Sequence, residues 1–375
     1  MISVAYNNLK VSIGRFNVSG AIGHLCKGIE PFHLLILTSY LLFSFVFYIY
    51  VAEPALIGET DFRVWADADL YEVTADLYEG VSDLIGIDTN RFGPVMIVSL
   101  LNNNYFYIYL FNCLILLVSF YLINSTGDIN GSKLLFYLLI NPMLFISLMS
   151  VNKEILSLLF AALLLSYLKN HQTKYLLLCL LVSFFVRWQL TIFLLIYLLL
   201  ISPFLKMNTN RFKALSCLLI IISAVYIMAA EQFDTVMDAA ILYTDIDASG
   251  SGLVMRLNDL QLKYGYFLVF IPKIFQNLFG SIMRISAIFD WSDFYNNFIV
   301  ATQSILFAVM AILLIVKKKL NIYNDIFYLA IIYSILFALS PFVQNRYFFV
   351  VYVVLAVLLA NKNEDEASCN ERTAS

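Results

Sequence analysis

The sequence predicts an all-α polytopic membrane protein of about ten transmembrane helices, with two large extracytoplasmic loops that contain short interfacial helices. Of 375 residues, 61% are hydrophobic and 13% charged, with a mean hydropathy of +0.83; a soluble domain carries roughly 25% charge. Several apolar runs approach or exceed the ~17–20 residues that cross a bilayer. Lysines bracket many of these runs, the bias that marks cytoplasmic loops.

Residues 1–32, with Lys10, Arg15 and Lys27, read as a cytoplasmic, surface-lying segment. The first apolar stretch, 33–52, starts late for a cleavable signal and no small-residue cleavage site follows, so it reads as a retained signal-anchor helix. Residues 53–91 hold ten acids and two bases. That balance places them outside, and 67–84 has the period of a short surface helix. Residues 92–124 split at Asn102–Asn104 into a short apolar piece and a full span. A polar loop, 125–132, follows.

The stretch from Lys133 to Lys206 organises the rest. Two apolar runs are each interrupted by charge: Lys153 and Glu154 in the first, Arg187 in the second. The first is long enough for two helices of about 17 residues. The second, 175–205, is tight for two spans and long for one. Two hairpins keep Lys133, Lys169, Lys174, Lys206 and the lysine triplet 317–319 cytoplasmic, whereas a single tilted helix inverts everything downstream; the positive-inside bias favours hairpins. A span at 214–230 leads to the second outer loop, 231–297. Its half at 264–289 is apolar but carries Pro272, Lys273, Gly280 and Arg284, which predicts an interfacial or re-entrant helix. Spans at 298–316, 324–340 and 347–360 complete one integral membrane domain, 1–361. The charged tail, 362–375, reads as disordered and cytoplasmic, so both termini lie inside.

Charge within or beside a span marks function by default. Arg91, Lys153, Arg187 and Arg346 flank apolar spans on the outer side. Cations gathered there form an anion site, and the arginine fork suits phosphate; the anion available at that depth is a lipid phosphate or diphosphate. The plainer reading pairs each with an acid, Lys153 with Glu154 for instance, or lets it snorkel to headgroups. Arg187, alone in its apolar run, suits that reading least. In the first outer loop Asp61, Asp67 and Asp69 are candidate carboxylates. One of them can act as general base on a sugar hydroxyl or hold a divalent cation bridging phosphates; otherwise they belong to a solvated acidic loop. Trp65, Trp188, Trp291, Tyr295 and Tyr347 fall near the same interface, where sugar stacking and ordinary interfacial anchoring give the same pattern. With no C-x-x-C, H-E-x-x-H or phosphate-loop motif, no metal, cofactor or nucleic-acid partner is expected. None of the five Cys falls in a proposed outer loop, so no disulfide is expected either.

The layout is also familiar. One apolar helix precedes an acidic loop with D-A-D-L-Y at 67–71. R-F-G-P follows at 91–94, N-K-E at the tip 152–154, V-R-W at 186–188 and N-R-Y-F-F at 345–349. This resembles the GT-C superfamily of polytopic glycosyltransferases, and within that broad group the Wzy-type polymerases of O-antigen and capsule. The resemblance spans most of the chain as layout and short fragments. It implies a bacterial inner-membrane glycosyltransferase that joins undecaprenyl-diphosphate-linked repeat units at the periplasmic face. The bilayer and the polyprenyl-linked oligosaccharide would be its partners, and a chain-length regulator protein a further candidate. By that resemblance Asp67 or Asp69 matches the place of a catalytic carboxylate, and Arg187 and Arg346 match outer-loop arginines that hold the carrier phosphate. The chain lacks the Arg-x10-Gly pattern of some polymerase loops and the soluble C-terminal domain of many GT-C enzymes. A transferase adding one sugar from a polyprenyl phosphate is the nearer alternative, and a lipid-linked oligosaccharide flippase the more distant one.

Overall fold

The computed structural model describes residues 30–60, 67–77, 90–202, 210–229, 251–291, 294–340 and 345–362. Among the described residues every regular element is helical, with one isolated bridge between Ile129 and Asn361. Helix α1, Pro31–Leu56, starts with proline in its first turn, where the missing N–H costs nothing. It runs 26 residues through a π-helical turn at Tyr48–Ala52. The acidic loop contains the expected short helix, α2 (Ala68–Asp76), which packs on α3 (Phe92–Leu100). Asn102 and Asn103 end α3 at φ of 53° and 51°, a left-handed conformation asparagine bears better than most residues. Helix α4 is Tyr105–Asn124, so the expected split within 92–124 is present.

Asparagine supplies many of the helix starts. The side chains of Asn104, Asn130, Asn141, Asn152, Asn210 and Asn324 each accept a backbone N–H of the helix that follows, satisfying donors that would otherwise be orphaned. At Asn141 this has a structural consequence. The run 134–150 does not form the single helix of about 17 residues that its apolar length predicts. It breaks into α5 (Gly131–Leu139) and α6 (Pro142–Ser147), because Pro142 cannot donate to the preceding turn.

Helix α7 (Lys153–Asn170) is followed by α8 (Thr173–Val186) and α9 (Trp188–Ile201). Arg187 alone, with extended φ and ψ of −163° and 127°, separates α8 from α9. The Ser183 and Thr191 hydroxyls lie 2.9 Å apart, whereas eight residues of continuous helix would separate them by about 12 Å. The run therefore folds back as a hairpin, not a single tilted helix.

The remaining helices are α10 (Arg211–Met228), α11 (Ser251–Tyr264), α12 (Tyr266–Ala287, its last eight residues 3-10), α13 (Tyr295–Val316), α14 (Asp325–Phe337) and α15 (Phe349–Ala360), which a 3-10 turn at Asn345–Phe348 introduces. All twelve residues of α15 are buried. It packs on α5, α7, α13 and α14, and a helix apolar on every side is the kind that can fill such a centre.

Five helices are long and apolar enough to cross a membrane by length and composition: α1, α4, α10, α12 and α13. The segments Thr173–Val186, Trp188–Ile201, Asp325–Phe337 and Asn345–Ala360 are apolar but shorter. The chain is a helical membrane protein, and among the described residues five helices reach full spanning length. One of the five, α12, falls where the sequence predicts an interfacial or re-entrant segment. Pro272, which argued against a straight span, lies inside the helix, and Gly280 opens its 3-10 end. Lys273 is 0% exposed and donates to Gln261 Oε1 (2.6 Å) and to the Ser340 carbonyl (2.9 Å).

Candidate functional site

At one end of the bundle the head of the central helix meets the tips of two others and the short loop helix α2. The 147–152 tip before α7 is pinned from within. Asn112 donates to the carbonyls of Leu148 (3.2 Å) and Ser150 (2.9 Å), and Asn152 to those of Ser147 and Ser150 (both 2.7 Å). These bonds fix where Lys153 and Glu154 begin α7. At the α8–α9 tip, the Arg187 N–H still donates to Ser183 O and its carbonyl accepts from Leu190 N, so the one-residue break is tied on both sides. Its approach to α3 is close: Phe92 stacks on Phe185 at 5.4 Å, and a Cβ on Gly93 would collide with the Phe185 carbonyl. Ahead of α15, Tyr333 donates to the Tyr347 carbonyl at 2.7 Å, Gln303 to that of Asn345 at 3.5 Å, and Asn345 bonds to Ser304 Oγ. Arg346 thus sits between two anchored neighbours.

The charged side chains converge from these supports. Arg187 Nη2 lies 3.5 Å from Glu154 Oε1, and Arg346 Nη1 lies 2.7 Å from Asp67 Oδ2. Both guanidinium groups approach one ring, Tyr347, at 4.2 Å for Arg187 and 5.6 Å for Arg346. The Lys153 ammonium stands 5.6 Å over the Tyr71 ring of α2. Tyr295, at the start of α13, is within electrostatic reach of Arg346, Glu154 and Asp67. Glu154 is 3% exposed, and the side chains of Arg187 and Arg346 are each 11% exposed. Two guanidinium groups, two carboxylates and the Lys153 ammonium, which burial and the nearby Arg187 lower to about 7, therefore share a largely dry site.

Burial alone would raise the Asp67 carboxyl. The Arg346 guanidinium beside it, helped by Lys153 and Arg187, outweighs burial and holds it below the usual carboxylate range. Tyr71 is pushed up by burial, with Asp67 and Glu154 adding to the effect, so its phenol stays a donor. One donor in the cluster has no acceptor: Arg187 Nε is buried without a hydrogen-bond partner, a state that costs roughly 1–3 kcal/mol for an ordinary buried group and more for a charged one.

Of the residues singled out in the sequence, the fold brings together Asp67, Lys153, Arg187 and Arg346. Arg91 precedes α3, whose first turn lies against the last turn of α8, but no ion pair ties Arg91 to the cluster among the described residues. Asp61 lies outside the described residues, as does the side chain of Asp69, whose backbone belongs to α2. Two readings are corrected. Glu154 pairs with Arg187, not with its neighbour Lys153, because consecutive residues on a helix point about 100° apart. Arg187, isolated in its sequence run, is not isolated in space. Tyr71 carried no functional signal in the sequence. Glu154 stood out as a charge in an apolar run but suggested no role beyond pairing with Lys153, and Tyr295 and Tyr347 carried only an ambiguous interfacial signal.

The fold and this site define a helical membrane protein with a buried cationic cluster at one end of its bundle. No family model, no curated protein and no solved structure matches the chain.

Proposed function

We propose that the protein is a membrane glycosyltransferase that polymerises surface-polysaccharide repeat units carried on undecaprenyl diphosphate. The observation that carries this reading is the convergence of Arg187 and Arg346 on Tyr347, with Arg187 Nε unpartnered. Two planar forks beside one aromatic ring suit a diphosphate that leads into a sugar. In the reaction the acceptor hydroxyl oxygen attacks the anomeric carbon of the donor. The bond from that carbon to the diphosphate oxygen breaks, and the leaving diphosphate keeps the electron pair. Arg187, Arg346 and Lys153 stabilise the charge as it develops. The hydroxyl proton passes to a carboxylate, for which Asp67 is best placed. The donor bond supplies the energy, so the reaction calls for no nucleotide. In this reading the protein sits in a bacterial inner membrane with the charged cluster toward the periplasm and both termini in the cytoplasm.

Surface polysaccharide from a strain lacking the gene, run on a gel beside the restored strain, tests the reading. A ladder that collapses to carrier or core bearing a single repeat unit supports polymerisation. A ladder in which every rung shifts by one sugar identifies a single-sugar transferase instead. Loss of all repeat units from the surface points to transport, and a ladder unchanged by deletion refutes all three.

A further inference from the structure

Resting on the reading above, we infer that Asp67 and the donor diphosphate compete for Arg346, so that donor binding itself releases the carboxylate that takes the acceptor proton. In the structure Arg346 is engaged with Asp67 at 2.7 Å. A carboxylate held that way has its lone pair committed to a guanidinium and is a weak base. The groups facing Asp67 are Arg346 ahead of α15, Lys153 on α7, Arg187 at the α8–α9 break, Tyr71 on its own helix and Tyr295 on α13. Two of these are guanidinium cations, and burial lowers the Lys153 ammonium to about 7. Against Asp67 and Glu154 they leave at most one positive charge in excess, and a diphosphate diester brings two negative charges. With the anion seated, the cluster carries at least one negative charge too many for a dry site. That excess strengthens the released carboxylate as a base, and it is relieved when the carboxylate takes the acceptor proton. Glu154, 3% exposed, faces Arg187 from beneath. Asp67 is more open, with a third of its side chain exposed, and it is the carboxylate an acceptor hydroxyl can reach. Arg187 needs no such exchange, since its Nε already lacks a partner. Arg187 would make the first contact and Arg346 the second, and the second contact arms the base.

The test is the binding of inorganic pyrophosphate to the full chain in detergent, by calorimetry, in wild type, Asp67→Asn and Arg346→Gln proteins. Asp67→Asn removes the competitor, so it binds pyrophosphate roughly tenfold to a hundredfold more tightly than wild type, the range expected when one charge-assisted bond no longer has to be broken. Arg346→Gln weakens binding. If Asp67→Asn binds as wild type does while Arg346→Gln is weakened, the exchange is overturned and the anion site stands. If wild type and Asp67→Asn bind neither pyrophosphate nor a short-chain prenyl diphosphate, the exchange and the functional reading fall together. Should Asp67→Asn not fold, sulfate binding to a Lys153→Arg protein carries the test, since neither the probe nor the introduced guanidinium changes charge from about pH 8 to about pH 5. A released Asp67 binds protons more tightly with the anion in place, so with no acceptor present sulfate affinity rises as pH falls across that interval; affinity independent of pH overturns the proposal.

Discussion

Replacing Arg187 by Gln separates what that arginine does for the fold from what it does for the reaction. Its partner Glu154 is 3% exposed, and the distance between them is 3.5 Å. Glutamine is too short and uncharged to neutralise that carboxylate, which is then left buried without a counter-ion. Breaking a buried pair from one side costs roughly 3–5 kcal/mol, whereas replacing both partners with neutral groups is often close to neutral. The 3.5 Å separation is longer than a good charge-assisted bond, so the lower end of that range applies. Loss of the stack on Tyr347 at 4.2 Å adds about 0.5–2 kcal/mol. Arg187→Gln should therefore lose about 3–5 kcal/mol against unfolding in detergent. The double variant, Glu154→Gln with Arg187→Gln, should recover most of it. Activity behaves differently. If Arg187 holds the departing diphosphate, the double variant is stable yet fails to build the long polysaccharide ladder. Thermal unfolding of detergent-solubilised protein gives the first readout and the ladder gives the second. A double variant that regains both stability and ladder would refute the role of Arg187 in the reaction. A single variant as stable as wild type would refute the buried ion pair.

Three further perturbations follow from the same geometry. Gly93→Ala places a methyl group against the Phe185 carbonyl two residues before Arg187; overpacking of this kind costs about 1–3 kcal/mol, and both the unfolding temperature and the ladder should suffer, while Phe92→Leu, which only removes the stack on Phe185, should be milder in both. The Asp67–Arg346 pair lowers the Asp67 carboxyl, so its stabilisation is complete above the ordinary carboxylate value of about 3.9 and is lost only as pH falls through the lowered folded value. The difference in unfolding temperature between wild type and Asp67→Asn should accordingly stay constant from neutral pH down to about 5 and shrink only below about 4. Lys273→Met removes the charge but leaves Gln261 Oε1 and the Ser340 carbonyl without their donor, so it should destabilise by roughly 1–3 kcal/mol; a thermal melt of the Lys273→Met, Gln261→Leu pair should show partial recovery.

Charges inside apolar runs are conspicuous, and so Lys153, Arg187, Arg346 and the acids around Asp67 were legible in the sequence alone. The hairpin at Arg187 was legible for the same reason, since only a reversal keeps the flanking lysines on one side. Partnerships were not legible. Glu154 with Arg187 spans 33 residues and Asp67 with Arg346 spans 279, and no local periodicity relates positions that far apart. Neighbouring letters even mislead: Lys153 and Glu154 stand side by side in the sequence yet serve different partners, because the helix turns them apart. Helix α12 escaped for a related reason. Judged alone, Pro272 and Gly280 argue against a straight span. The helix nevertheless takes Pro272 into its interior and turns to 3-10 winding from Gly280. Gln261 and Ser340, 12 and 67 residues away, bond the Lys273 ammonium inside the bundle. Pro142 was visible throughout, but the length of its apolar run outweighed it.

The lengths of the helices bear on how deep the charged cluster lies. Helices α8 and α9 have 14 residues each, about 21 Å at 1.5 Å per residue. The hydrocarbon core of a bilayer is about 30 Å thick. α8 begins at Thr173, beside Lys169, His171 and Lys174, residues that belong at a polar surface. A helix rising about 21 Å from that surface ends some 9 Å short of the opposite one even without tilt. In the proposed orientation Arg187 would then stand below the membrane surface, and Glu154 and Tyr347 would take the place of water around its guanidinium. A soluble anion would have to descend to reach it. A phosphate attached to a polyprenyl chain starts at the headgroup level and needs to sink only slightly, with its tail already in the hydrocarbon. In the proposed orientation such a depth would favour a lipid-linked ligand over a free one. It also makes a direct comparison possible. Methyl diphosphate and a short-chain prenyl diphosphate present the same charged groups, so a surface site would bind them alike, and a submerged one should prefer the prenylated form by the transfer of its chain, about 0.8 kcal/mol for each CH₂ it buries.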